Sequence, residues 1–258
     1  MNHPGLSGFS VNKILYLGDT SLQSAASYLA GCIVHAGWEF DYLPSEQPIT
    51  EAHLIEPYQL YILSDYPAAN FSVEMQLRVA EHVKNGANLL MIGGWESFHG
   101  LGGDWDGTPL GELLPVEISS NDDRQNCDSP VFLKSQCDHS ITTDLPWHDR
   151  PPLIGGYNRV TAKQDAQVIL TAERYEARLK GEDYSLKHVS SDPMLVVKEE
   201  QQSRIAALMT DLAPHWVGPL VDWGDERVNA QAPDAEGVQV GDFYYQFVSQ
   251  LIRWVGNF

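Results

Sequence analysis

Short apolar runs closed by turn-forming residues alternate with helically spaced segments through the first ninety-odd residues, and few folds accept that order. The runs are Lys13–Asp19, Trp38–Leu43 ahead of Pro44, Tyr58–Asp65 ahead of Tyr66-Pro67, and Ala87–Ile92. Between the first two, Leu22, Ala25, Leu29, Ile33 and Ala36 recur at helical spacing, with Thr20 or Ser21 as cap and Gly37 as stop. Between the last two, Ser72 caps a helix whose stripe is Val73, Leu77, Ala80 and Val83 and which Gly86 ends. Such alternation builds a parallel sheet with helices on both faces, because parallel neighbours need a crossover between them. Ligands of these sheets bind at the carboxyl ends of the strands, which predicts Asp19, Asp65, Tyr66 and the stretch from Gly93 on one rim.

The rest of the chain reads differently. A loop dense in Gly and Asp follows His99, and Thr108-Pro109 is a cap and first-turn pair for a short helix ending at Pro115. Strand-like runs then recur at Val116–Ser119, Pro130–Lys134, Asn158–Thr161, Gln167–Ala172, Met194–Lys198 and Ile205–Thr210. Glu173–Tyr184 is polar and charged, as in an exposed hairpin or a loose helix. Phe243, Phe247, Leu251 and Trp254 repeat at helical spacing within Asp242–Trp254 and predict a docked final helix. The one linker-like stretch, Asn229–Gly237, is too short to separate domains, so a single domain over 1–258 is expected.

Charge narrows the partners. Sixteen Lys and Arg against 35 Asp and Glu leave a formal charge of −19, which repels phosphate backbones and anionic headgroups and argues against nucleic-acid or membrane-surface binding. Residues 1–129 hold 17 acids and 4 bases, so most of the field sits on the N-terminal half, either as a solvated surface or as an attraction for a basic partner. No run reaches the roughly 18 apolar residues of a membrane helix, and Met1–Lys13 lacks the apolar core of a signal peptide, so the cytoplasm is the expected compartment. Cys32, Cys127 and Cys137 are an odd set without metal or disulfide spacing, and reduced thiols are expected.

The sharpest local feature is the exit from the fourth run, Gly93-Gly94-Trp95-Glu96-Ser97-Phe98-His99-Gly100. Paired glycines after a strand mean a tight turn that another group can approach closely. The spacing around Ser97 is G-x-x-S-x-x-G, not that of a nucleophile elbow, and no GK[ST] follows to make a phosphate loop. The turn is either a plain connection or the mount of a site. As a site it offers three readings. Ser97 with His215, and Glu96 or Asp211 as partner, could run hydrolysis. His99, Asp104, Asp106 and His215 could hold a divalent metal. Gly93, Gly94, Trp95, Asp65, Tyr66 and Trp216 could line a small-ligand pocket, with Trp95, Trp105, Trp216 and Trp223 as aromatic wall or core. Cys137-Asp138-His139 reads as a turn, because neighbours in an extended segment point to opposite faces.

The order of elements, the Gly-Gly-Trp-Glu-Ser-Phe exit, Leu113-Leu114-Pro115-Val116, Asp138–Trp147 and Arg204–Trp216 resemble the class I glutamine amidotransferase-like superfamily, and within it the branch described only as putative glutamine amidotransferases. The resemblance implies a flavodoxin-like three-layer αβα fold with a mainly parallel sheet, extended by C-terminal strands and a helix. It also implies a Cys at the elbow, a later His, and a Glu two residues beyond it. Trp95 stands at the first position, His215 can occupy the second, and Val217 stands at the third. A Trp offers no nucleophile for acyl transfer, so glutamine hydrolysis by the family mechanism is not expected. The expected function is therefore binding of a small polar ligand at the rim, the alternatives being a Ser97/His215 or metal-dependent hydrolase and an acidic interaction module. The acidic border favours a neutral, cationic or metal-bridged ligand, and no motif specifies a cofactor.

Overall fold

The computed structural model describes residues 13–181 and 183–258, apart from the side chains at positions 215 and 217. The reading of the N-terminal segment falls on residues 1–12, outside the described residues. The apolar runs become β1 (Lys13–Gly18), β2 (Glu39–Leu43), β3 (Leu60–Ser64) and β4 (Asn88–Ile92), joined by α1 (Ala26–His35) and α2 (Val73–Lys84). Four later strands complete one sheet: β5 (Val131–Ser135), β6 (Gln167–Lys180), β7 (Asp183–Glu200) and β8 (Ser203–Leu208). A final helix, α3, spans Asp242–Gly256.

The eight strands lie in the order β2-β1-β3-β4-β8-β7-β6-β5. The first five in that order are parallel, with Ile14 opposite both Phe40 and Leu60, and Leu89 opposite Ile205. The last three are antiparallel additions, so the sheet is mixed. Strands β1, β3, β4 and β8 are buried almost throughout, as a sheet covered on both faces requires. The chain steps from β1 to β2 in one direction and from β3 to β4 in the other, and right-handed crossovers then place α1 and α2 on opposite faces. That reversal creates a switch point between β1 and β3, where Asp19 and Asp65 follow the strand ends.

Two helices differ in detail from their sequence patterns. α1 begins at Ala26, not near Thr20, and no side chain caps it. The Asp19 carbonyl takes the amides of Ser21 and Ala26 instead, while Asp19 and Thr20 hold positive φ of 53° and 57°, a conformation no helix start can share. α2 is capped by Ser72 as expected, yet it buries Met75, Gln76, Val79, Ala80 and Val83 and leaves Val73 and Leu77 61% and 56% exposed. Gln76 explains the rotation: its side chain donates to the Phe71 carbonyl and accepts from the Leu110 amide, anchoring a polar residue inside the stripe. The short helix expected after Thr108 is a single 3-10 turn at Gly111–Leu113, with the Thr108 hydroxyl accepting from the Gly111 amide. Glu173–Tyr184 is the outer part of a long hairpin in which β6 and β7 run on past the sheet.

Candidate functional site at the end of strand four

The chain leaves β4 through Gly93 and Gly94, and both positions are glycine because of what approaches them. A Cβ at Gly93 would stand 2.2 Å from the Met209 carbonyl oxygen, and one at Gly94 would stand 2.4 Å from the Asp65 carboxylate. The sequence expectation of a close approach is met by the chain's own groups. Asp65 Oδ1 accepts the Glu96 amide and so closes the turn from the β3 side.

Ser97 is buried, and its hydroxyl is spent on the backbone. It donates to the Ile92 carbonyl at 2.6 Å and accepts the Asp65 amide at 2.9 Å, tying the turn to its own strand and to β3. A hydroxyl so engaged works as a staple of the turn. His215 lies in the one-turn helix Pro214–Val217, and its side chain is outside the described residues. Asp211, fully buried just beyond β8, takes the Ala213 amide on Oδ1 at 2.8 Å.

Two residues that the sequence pattern did not single out hold the rest of the turn. Asn158 accepts the Gly94 amide at 3.0 Å, and its side-chain amide reaches the carbonyls of Gly94 and Ser97 and the Asp123 carboxylate. Asp123 in turn accepts the amides of His99 and Gly100, each at 3.0 Å. Burial pushes the Asp123 carboxyl up, against the pull of those donors. The one available sequence signal was Gly155-Gly156 ahead of Tyr157-Asn158. Gly156 is pressed against the Trp216 indole, where a Cβ would collide at 1.7 Å, and this lets the Asn158 ribbon lie deep under the turn.

Trp95 is the open side chain of the turn, 45% exposed, with the Arg124 guanidinium over its ring at 4.4 Å. Arg124 is held in a fork by both carboxylate oxygens of Asp122, at 2.9 and 2.8 Å, and that fork pushes the Asp122 carboxyl down to about 2. Glu96 is half-buried, and desolvation raises its carboxyl. Tyr66 and Trp216, expected at the pocket, are core residues. The Tyr66 hydroxyl donates to the Gln47 carbonyl at 2.7 Å, and the Trp216 indole donates to Asn126 at 3.0 Å. Trp105 and Trp223 are buried as well.

His99 and Asp106 of the suggested metal set do meet, Nδ1 to Oδ1 at 2.7 Å, and the Asp106 hydrogen bond raises the His99 imidazole. Asp104 is exposed on a backbone of positive φ. Among the described residues no group of three His, Cys, Asp or Glu side chains is disposed to hold a metal ion. Beneath the rim, Asp19 is buried beside the charges of Asp211 and Asp65 and accepts the Tyr16 hydroxyl, and desolvation followed by those two charges holds its carboxyl well above the usual range. Cavities of about 270 and 590 Å³ open elsewhere, the first between Asp106, Glu112 and Lys163, the second between Cys137, His139 and Trp147.

A family model described as "Putative glutamine amidotransferase" matches residues 14–228, from β1 into the segment before α3. The chain belongs to this family. Two solved structures have the same fold as this amidotransferase-like chain. Cytoplasmic Protein STM3548 from Salmonella typhimurium is 23% identical at a TM-score of 0.69, over 94% of this chain and 98% of that one. Cytoplasmic Protein STM1381 from Salmonella typhimurium LT2 is also 23% identical, at 0.70, over 94% and 99%. Comparison with curated proteins finds no match. Among the described residues no helix of this amidotransferase-like protein is long and apolar enough to cross a membrane.

Proposed function

We propose that this member of the amidotransferase-like family does not hydrolyse glutamine by a Cys-His-Glu mechanism, and instead binds a small polar ligand at the rim around Trp95, Glu96 and Asp65. One observation carries the reading. The only hydroxyl on the Gly93–Gly100 turn, that of Ser97, is buried and bonded to Ile92 and Asp65, so the turn offers no side chain placed to attack a carbonyl. What it presents outward is a flat indole with a guanidinium on it, beside a half-buried carboxyl. An indole supplies apolar area and a donor, and the carboxylate beside it accepts hydrogen bonds and repels anions, which suits a neutral or cationic polar ligand better than a phosphate. The formal charge of −19 argues against nucleic-acid and membrane-surface partners, and the two similar structures named as cytoplasmic proteins support the same compartment for this chain.

The test has two arms. Ammonia release from glutamine should stay at the buffer rate in the wild type, and release that is lost in His215→Ala would refute the first half. Thermal-shift screening of neutral polyols and amines should then give hits that disappear in Trp95→Ala; hits that survive it would place the ligand elsewhere and refute the second half.

A further inference from the structure

β6 and β7 leave the sheet as a two-stranded arm. β5 pairs with β6 only as far as Arg174, and β8 pairs with β7 only from Leu195 onward. Beyond those points no further strand among the described residues pairs with either edge of the arm. Cross-strand partners share a face, so the register sorts its side chains cleanly. One face carries the pairs Leu179–Tyr184, Ala177–Leu186 and Tyr175–His188. The other carries Glu176–Lys187, Arg178–Ser185 and Lys180–Asp183, two of them opposite charges. Leu179 and Tyr184 at the tip are 79% and 75% exposed, and Leu186 is 41% exposed. At the root of the same face lies a groove of about 440 Å³, walled by Phe132, Trp147, Pro151, Tyr175 and Leu186 with Glu173 at its side.

We infer that this apolar face is the contact through which two copies of the chain form a two-fold dimer by reciprocal packing of their arms. A two-stranded ribbon is marginal in water without something on its apolar face, and two features identify the occupant as a second copy. The first is charge. Segment 173–191 holds four bases and four acids and is neutral, on a chain whose total is −19. Two such chains repel nearly everywhere else, while a basic protein or an anionic polymer finds no net charge on the arm to favour it. The second is self-complementarity. Same-face pairs follow one another at about 7 Å, so tip and root pairs are equidistant from the middle pair. A two-fold axis through Ala177–Leu186, where the small alanine allows close approach, seats each tip on the other copy's root and groove. Three side chains this open present on the order of 400 Å² per copy, and with the groove walls added the contact reaches the roughly 1,000 Å² expected of a specific interface.

Sedimentation velocity of the full chain across 1–50 µM, as concentrations chosen around about micromolar affinity, decides the matter. A dimer is expected, and raising the salt should tighten it, because the contact is apolar and the bodies repel. Leu179→Asp with Tyr184→Asp should weaken it at least tenfold while circular dichroism shows the body still folded and Tm no longer depends on protein concentration. As an independent arm, Ala177→Cys in a Cys127→Ser, Cys137→Ser background should give a covalent dimer on mild oxidation. A monomeric wild type, a dimer that persists in the double aspartate variant, dissociation by salt, or failure of the Ala177→Cys variant to cross-link would each overturn the proposal.

Discussion

The Asn158 side-chain amide donates to the Asp123 carboxylate at 2.8 Å, and this buried pair, far from β4 in sequence, carries the turn that follows β4. Asn158 and Asp123 together reach Gly94, Ser97, His99 and Gly100. The turn is therefore built as much by the middle of the chain as by its own residues.

Removing Asn158 should be costly. Asn158→Ala strands the Gly94 amide and one side of the Asp123 carboxylate in a buried site, and leaving buried groups unsatisfied costs about 1–3 kcal/mol each. Urea denaturation should show a loss on the order of 2–4 kcal/mol with an unchanged m-value. A loss inside 0.5 kcal/mol would mean that the pair is not holding the turn.

The two glycines should differ in their tolerance. Gly93→Ala drives a methyl into the Met209 backbone, whereas Gly94→Ala meets the Asp65 side chain. Overpacking costs typically about 1–3 kcal/mol, and more where the obstacle is backbone. Gly93→Ala should be the more damaging in a thermal melt, and the reverse order would contradict the assigned contacts.

Asp19 gives a pH signature of definite sign. Its carboxyl is raised in the fold, so its contribution is fully present below the ordinary carboxylate pKa and is lost as pH rises through the folded value. Asp19→Asn keeps an acceptor for Tyr16 and removes the penalty for a buried charge. The variant should gain stability over the wild type as pH goes from 4 to 8. A gain of about 1 kcal/mol would raise Tm by roughly 2–4 °C, and a wild-type advantage that grows with pH would refute the burial argument.

His99 should respond to its partner. The Asp106 hydrogen bond raises the imidazole, so its stabilising contribution is present below the ordinary histidine pKa and fades as pH rises through the folded one. In an NMR titration Asp106→Asn should lower the His99 pKa, as loss of an adjacent carboxylate does. An unmoved titration would show that the contact carries no charge interaction.

Much of this architecture was legible in the residues. Local signals gave β1 to β4, the Ser72 cap and the final helix, because apolar runs and capping chemistry act within a few positions. Pattern alone could not give the rotation of α2, since Val73 and Leu77 fit a helical stripe as well as Met75 and Val79 do. Gln76 decides between them through the Phe71 carbonyl and the Leu110 amide. Asp65 and Trp95 lie just beyond the ends of β3 and β4, positions that the strand boundaries in the sequence made legible. Ser97 looked reactive because a hydroxyl between glycines resembles a nucleophile's setting, and only its two backbone partners reveal its role. Asp123 and Asn158 gave almost no signal, for their importance lies in contacts between segments that the sequence keeps apart.

The place of β8 between β4 and β7 has a consequence for how the protein is made. Until residues 203–208 leave the ribosome, β4 has a bare edge, and the turn still lacks the Met209 backbone that packs against Gly93. Nascent chains stopped before β8 hold an apolar strand open to any other strand that can pair with it. Contacts this distant in sequence close late and slowly. Truncation before residue 203 should therefore deliver aggregate and not a smaller folded unit, and the rim forms only once β8 has been made.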